Sequence, residues 1–272
     1  MSDAPSPLAA PLPWNLVAGA YVLELAPVFT HFAEAALALA RVGSGTRVLD
    51  VAAGPGTLAL PAARRGARVS AIDFSPEMIG LLRAQAAREG LTGEVDALVG
   101  DGMALPSPDG AFDAAFSMFG LMFFPDRDRG FRELHRALRP GGQAVVSSWT
   151  PFERIPLMAT MFAALGSFVP PRSGPTRLPL SDPGECCAAM AAAGFHATTS
   201  REVEHGIDFA SMAELWASQQ RSSAPIVLLQ QGFGDAWAPI AAGVLERLVA
   251  EHGAGPQRLA MIALLSSGLK AG

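Results

Sequence analysis

The sequence predicts an α/β fold: a doubly wound, mainly parallel sheet with helices on both faces. Three observations carry this. Short β-branched and apolar runs alternate with helical patterns between residues 46 and 149. Such alternation builds parallel sheets joined by right-handed crossovers. Glycine turns or helix-capping residues follow the first three runs. Half of the residues are hydrophobic and only 17% are charged, which suits a large core with an apolar cavity.

Residues 1–13, rich in Ser, Pro and Ala, read as a flexible arm. They lack a basic region followed by an apolar run, so no signal peptide is expected. From Trp14 to Arg41 apolar residues recur at helical spacing, and Pro27 is expected to break this stretch into lid helices. Thr46–Val51 is the first strand, ending in the turn Gly54-Pro55-Gly56, and Thr57–Arg65 restarts as a helix. Arg68–Ile72 is the second strand and ends at Asp73. Ser75-Pro76-Glu77 then opens a helix with a capping hydroxyl, a proline at the first position and an acid against the dipole. That helix stops at about Gly90. Val95–Val99 and Phe112–Ser117 are strands three and four. Arg127–Leu138 is a helix, and Pro140-Gly141-Gly142 turns into strand five, Gln143–Trp149.

Beyond Trp149 the alternation stops. Residues 151–193 read as helical with a break at Pro170–Pro179, and Thr198–Phe209 is a candidate sixth strand. Met212–Gly253 is helical with breaks near Pro225 and Gly232–Gly234, and Arg258–Ser266 is a last apolar run. The expected organisation is an arm over 1–13, lid helices and a binding core over 14–150, and a helical cap with the remaining strands over 151–272. No segment reads as a membrane span; the nearest, Ile155–Pro170, is shorter than the roughly 20 residues a span needs. A net charge of −5 gives no electrostatic reason to bind nucleic acid or an anionic membrane. The only cysteines, Cys186 and Cys187, are adjacent. They supply neither a disulfide framework nor metal-ligand spacing, so no metal is expected and a reducing, cytoplasmic compartment is.

Chemistry gathers at four strand ends. Asp50-Val51-Ala52-Ala53-Gly54-Pro55-Gly56 lets a ligand approach the backbone beside a helix start, and Gly54-x-Gly56-x-x-Ala59 also fits a dinucleotide fingerprint. Asp50 separates the two readings. A carboxylate there would repel a pyrophosphate and suit a cation, directly or by fixing the glycine loop. Asp73, at the end of strand two, can accept both ribose hydroxyls of an adenosine, with Phe74 and Met78 placed to pack on the base. Gly100-Asp101-Gly102-Met103 follows strand three: an acceptor for an exocyclic amine, a close backbone approach and a soft packing partner. Ser117-Met118-Phe119-Gly120 closes strand four.

In this order the motifs resemble the class I S-adenosylmethionine-dependent methyltransferases, in the branch of the ubiquinone/menaquinone C-methyltransferases. The matching text is VLDVAAGPG, AIDFSPEMI, GDGMALPSPDGAFDAAFSMFGLMFFPD and RELHRALRPGG. The resemblance implies seven strands in the order 3-2-1-4-5-7-6 with the last antiparallel, and S-adenosyl-L-methionine as cofactor, S-adenosyl-L-homocysteine being its product. It implies that Asp50, Ala52, Gly54 and Gly56 line the methionine end, that Asp73 binds ribose and that Asp101, Gly102 and Met103 hold adenine. Ser117 and Met118 would stand where the methyl is presented. Tyr21, the only tyrosine, lies where relatives close a helix over the cofactor. Pro55 is a departure from the family text, since it removes one backbone donor from the loop.

Methyl transfer from a sulfonium needs mainly in-line positioning in a dry pocket. The acceptor pocket is expected from Trp14, Phe29, the Phe119–Phe124 loop and the cap including Trp216, which suits a small apolar or aromatic molecule. His31, in the lid, is the candidate base. Two other readings compete: an NAD(P)-dependent oxidoreductase, and a non-catalytic ligand-binding protein of the same fold. The acidic balance, and the missing Asn/Asp-Pro-Pro-Tyr/Phe type of motif at strand four, argue against a nucleic-acid methyltransferase.

Overall fold

The computed structural model describes residues 6–168 and 178–272. Its sheet has seven strands in the order β3-β2-β1-β4-β5-β7-β6. They are β1 (Arg47–Val51), β2 (Arg68–Asp73), β3 (Val95–Val99), β4 (Phe112–Met118), β5 (Leu138–Trp149), β6 (Phe195–Phe209) and β7 (Gln257–Lys270). β1 to β5 pair in parallel, and β7 runs antiparallel between β5 and β6. The sheet order expected from the family resemblance is therefore observed.

Strand parity decides how the sheet is covered. Val48, Val69, Ala71, Ala114, Phe116 and Val145 are buried beneath α2 (Ala26–Leu39), α3 (Ala59–Arg64) and α4 (Pro76–Arg88). Their neighbours Leu49, Val51, Ala115, Ala144 and Val146 are buried on the other face with α5 (Arg127–Ala137), α6 (Pro156–Gly166) and α7 (Pro183–Ala192). Successive side chains point to opposite faces, so runs apolar at both parities end up between two helix layers. The cap is α8 (Met212–Ser222), α9 (Ala224–Phe233) and α10 (Trp237–His252).

Four boundaries depart from expectation. Pro27 does not break the N-terminal helices. Tyr21–Leu25 forms a π-helical turn, in which the Ala26 N–H reaches back to the Tyr21 carbonyl, and Pro27 then falls in the first turn of α2. A proline there forfeits no needed donor. With α1 (Pro11–Ala20) the result is one continuous stretch of 29 residues, Pro11–Leu39, which by length and composition could cross a membrane. The break assumed at Pro27 hid this candidate from the sequence. Here its inward face, including Val17, Phe29, Phe32 and Leu37, is buried within the protein. Second, helical structure starts inside the stretch read as an arm: Pro7–Ala9 makes a single turn, and the Trp14 indole donates to the Leu8 carbonyl at 2.9 Å. Third, β5 starts at Leu138, and Pro140-Gly141-Gly142 lies within it at a register shift against β4. Fourth, β6 starts at Phe195 and β7 extends to Lys270, so both outrun the expected limits. Most of the break expected at Pro170–Pro179 lies outside the described residues.

Candidate active site

The strand order reverses between β1 and β4, and ligands of open α/β sheets bind at that point. Both tips there carry left-handed backbone on residues other than glycine: Ala52 at φ 59° and Phe119 at φ 58°. Ala52 keeps its conformation against Gly120, where an added Cβ would stand 2.2 Å from the Ala52 Cβ. Phe119 is held by its N–H, which donates to Ser147 Oγ at 2.8 Å, and by its ring, stacked 4.0 Å from Trp149.

Asp73 ties two tips together. Its Oδ2 accepts from the Gly54 N–H and its Oδ1 from the Ser75 N–H, each at 2.8 Å. Burial raises its pKa while these amides oppose the rise. Asp50 stands differently. It is 1% exposed, and neither carboxylate oxygen has a hydrogen-bond partner. Burial, and then the neighbouring Asp73 charge, push its pKa up to about 7. The Ala59 amide works against the rise without forming a full hydrogen bond. At the tip of β3, Asp101 Oδ1 accepts from the Met103 N–H at 2.8 Å. Gly102 leaves room for the Phe124 ring, which a Cβ there would meet at 2.6 Å.

These tips open into a cavity of about 530 Å³ that continues under the N-terminal helices and the cap. Trp14, Tyr21, Phe29, Ala52, Gly54, Asp73, Phe74, Met78, Asp101, Gly102, Met103, Met118, Phe119 and Phe124 line it together. Tyr21 and Phe29 stack with ring centroids 5.2 Å apart. Burial, reinforced by the Asp73 charge, holds the Tyr21 phenol protonated.

Five expected site residues lie elsewhere. Asp50 sits behind the Ala52–Gly54 turn rather than on the cavity wall. Gly56 serves helix packing, since a Cβ there would come 2.4 Å from Leu82 Cδ1. Ser117 is fully buried and its Oγ accepts from the Leu121 N–H at 3.2 Å, bracing the loop. Trp216 is core of the cap, its indole donating to the Ala241 carbonyl at 3.0 Å. His31 is exposed, because Phe29, Phe32, Ala33 and Ala36 take the inward stripe of α2. Its ring stacks on His205 with centroids 4.3 Å apart, away from the cavity. Sequence reasoning did not single out Trp149, Met158 or Gln219, all on the wall. The first two are apolar residues whose wall position only the tertiary fold shows. Gln219 carried no signal, since a glutamine within a helix reads as solvent-facing.

The fit to S-adenosylmethionine can be tested on the chain itself. An orphaned, buried carboxylate beside a glycine turn suits a positively charged methionine end and opposes a pyrophosphate. Asp73 retains free lone pairs on the cavity side for hydroxyl donors.

Comparison with known proteins agrees. Residues 48–142 match the model of a methyltransferase domain. An uncharacterized protein of Mycobacterium tuberculosis is 42% identical over 137 residues, 50% of this chain and 48% of that one. The chain thus spans about half the length of that relative. The ubiquinone/menaquinone biosynthesis C-methyltransferase UbiE of Geobacter sulfurreducens is 33% identical over 184 residues, 61% of this chain and 71% of that protein. A phosphoethanolamine N-methyltransferase of Haemonchus contortus, solved with S-adenosylhomocysteine, shares the fold at TM-score 0.54 and 18% identity, covering 88% of this chain and 53% of that one. With its sheet order and strand-tip acids, the chain belongs to the class I S-adenosylmethionine-dependent methyltransferases related to the ubiquinone/menaquinone C-methyltransferases.

Proposed function

We propose that this methyltransferase moves the methyl group of S-adenosylmethionine onto a small, apolar, aromatic molecule held in the same cavity. The observation that carries the reading is the wall itself: the strand tips merge into a chamber lined by Trp14, Phe29, Phe119, Trp149, Phe152 and Phe162. Such walls favour flat apolar ligands and exclude water. The name of the Geobacter relative points to quinone-like rings, which would suit these surfaces.

The chain's residues divide the work. Asp50 would supply negative charge behind the turn shaped by Ala52 and Gly54, for the methionine end. Asp73 would take ribose hydroxyls; Phe74, Met78, Asp101, Gly102 and Met103 would hold adenine; Met118 would face the reacting end. When bound, S-adenosylmethionine supplies a methyl group already activated as an electrophile. The ionisable residues among the described wall are Tyr21, Asp73 and Asp101. Tyr21 stays protonated and can donate, and the two acids serve the cofactor. Rate enhancement therefore comes from positioning and dryness, and acceptors that are nucleophilic without a strong base fit best.

The test is transfer of labelled methyl from S-adenosylmethionine to a panel of phenols, naphthols and reduced quinones, alongside charged peptides and oligonucleotides. Label appearing on the aromatic acceptors supports the reading. Label confined to peptides or oligonucleotides refutes it.

A further inference from the structure

Helix α8 carries two consecutive glutamines, and the fold uses them differently. Gln220 serves the cap: its Oε1 accepts from the Trp237 indole at 3.0 Å, and its Nε2 donates to the Trp216 carbonyl at 3.5 Å. Gln219 lines the cavity and is only 6% exposed. Among the described residues, nothing hydrogen-bonds its carboxamide. An amide that has no protein partner and stays open to the chamber can hydrogen-bond whatever fills it, water or ligand. The spare bonds point to a ligand atom inside the chamber.

The source of Gln219 says which ligand. The polar groups expected to serve the cofactor, from Asp73 to Asp101, come from the sheet tips. Gln219 comes from the cap, which also brings Ser222, Ser223, Ala224 and Pro225 to the wall, while α6 adds the apolar Met158 and Phe162. Ser222 Oγ is already used, donating to the Ser218 carbonyl at 2.8 Å. The one carboxamide on a chamber wall that is largely apolar reads one polar atom on an otherwise greasy molecule. It also rejects analogues lacking that atom, because the amide is then left buried and unpaired.

We infer that Gln219 is the specificity-determining contact for the acceptor, its carboxamide hydrogen-bonding one hydroxyl or carbonyl oxygen of an otherwise apolar ring system. This rests on the proposed apolar acceptor and adds the atom by which it is recognised.

The experiment uses the full chain saturated with S-adenosylhomocysteine and three bicyclic probes: β-naphthol, α-tetralone and naphthalene. Calorimetry measures each affinity for wild type, Gln219→Leu and Gln219→Glu, with S-adenosylhomocysteine affinity measured separately. Wild type is expected to bind the two oxygenated probes about tenfold more tightly than naphthalene. Gln219→Leu should bring all three to the naphthalene level and leave S-adenosylhomocysteine affinity within about twofold. Gln219→Glu, which accepts but does not donate, should keep β-naphthol and lose α-tetralone. The inference is overturned if Gln219→Leu binds the oxygenated probes as wild type does, or if it loses only S-adenosylhomocysteine. It is equally overturned, with the acceptor reading intact, if wild type binds naphthalene as well as the other two. Failure of wild type to bind any bicycle, while it still binds S-adenosylhomocysteine, removes the acceptor reading underneath.

Discussion

Asp50 gives the sharpest test, because one substitution should move stability and ligand binding in opposite directions. Its carboxyl is buried without a hydrogen bond, and its pKa is raised from 3.8 to about 7. In the folded protein the protonated form is favoured. The stability this group contributes is therefore complete below pH 4 and is lost as pH rises towards 7. The rise corresponds to about 4 kcal/mol in cofactor-free protein. Asp50→Asn removes the ionisation and keeps the shape. Urea unfolding of cofactor-free protein at pH 5 and pH 8 should show wild type weakening by about 2.5 kcal/mol relative to Asp50→Asn over that interval, the rest of the loss falling below pH 5. Contributions from every other ionisable group are common to the two proteins and cancel in the comparison. Binding should go the other way. Losing the negative charge behind the turn, which acts on the methionine ammonium through space and not by contact, costs about 1.5–3 kcal/mol, or roughly 10- to 100-fold in S-adenosylhomocysteine affinity. If the two proteins show the same pH dependence, or the variant binds S-adenosylhomocysteine as tightly as wild type, the electrostatic argument fails.

Three other outcomes follow from contacts already described. Gly120→Ala should destabilise by about 1–3 kcal/mol through its clash with the Ala52 Cβ; adding Ala52→Gly should recover most of that loss, and additive thermal-melt penalties would refute the pairing. Gly56→Ala places a Cβ 2.4 Å from Leu82 Cδ1 at φ 95°, so it should cost about 2 kcal/mol or more of stability while S-adenosylhomocysteine affinity below the melting range stays as in wild type; a selective loss of affinity would restore Gly56 to the ligand. His31→Ala should leave stability within about 0.5 kcal/mol and turnover unchanged across pH, and loss of the basic limb of a pH–rate profile would reinstate His31 as a base.

What was legible in the sequence was local. The capping of α4 by Ser75 and the turn at Gly54 need only neighbouring residues, and both are found, Ser75 Oγ accepting from the Met78 N–H. The place of Asp73 at the cavity was readable from its position at the end of β2, but its bracing of the Gly54 and Ser75 amides was not. The cap was not readable at residue level. Trp216 and Gln219 lie one turn apart on α8, and nothing in the sequence says which faces the chamber. The aromatic looked like a pocket residue and the amide like a surface one, and tertiary packing reversed both. Ser117 failed for a reason the sequence did contain. Strand parity sends Ser117 and Met118 to opposite faces, so only one of them could reach the ligand.

The strained tips and the buried acid share one physical logic. Left-handed backbone at Ala52 and Phe119 costs about 1–3 kcal/mol at each residue, and the chain would relax if nothing opposed it. Gly120 leaves no other side chain in the space of the Ala52 Cβ, while Ser147 and Trp149 fix Phe119 from outside the site. The tips are thus set before a ligand arrives, which reduces the ordering cost of binding. Asp50 adds a buried carboxylate that favours its protonated form in the free protein and that a bound cation would hold ionised. A free protein burdened in this way is stabilised by whatever completes the site, so its melting temperature should climb with S-adenosylhomocysteine concentration. In Asp50→Asn that climb should need roughly 10- to 100-fold more ligand, because the backbone remains set and only the charge match is gone.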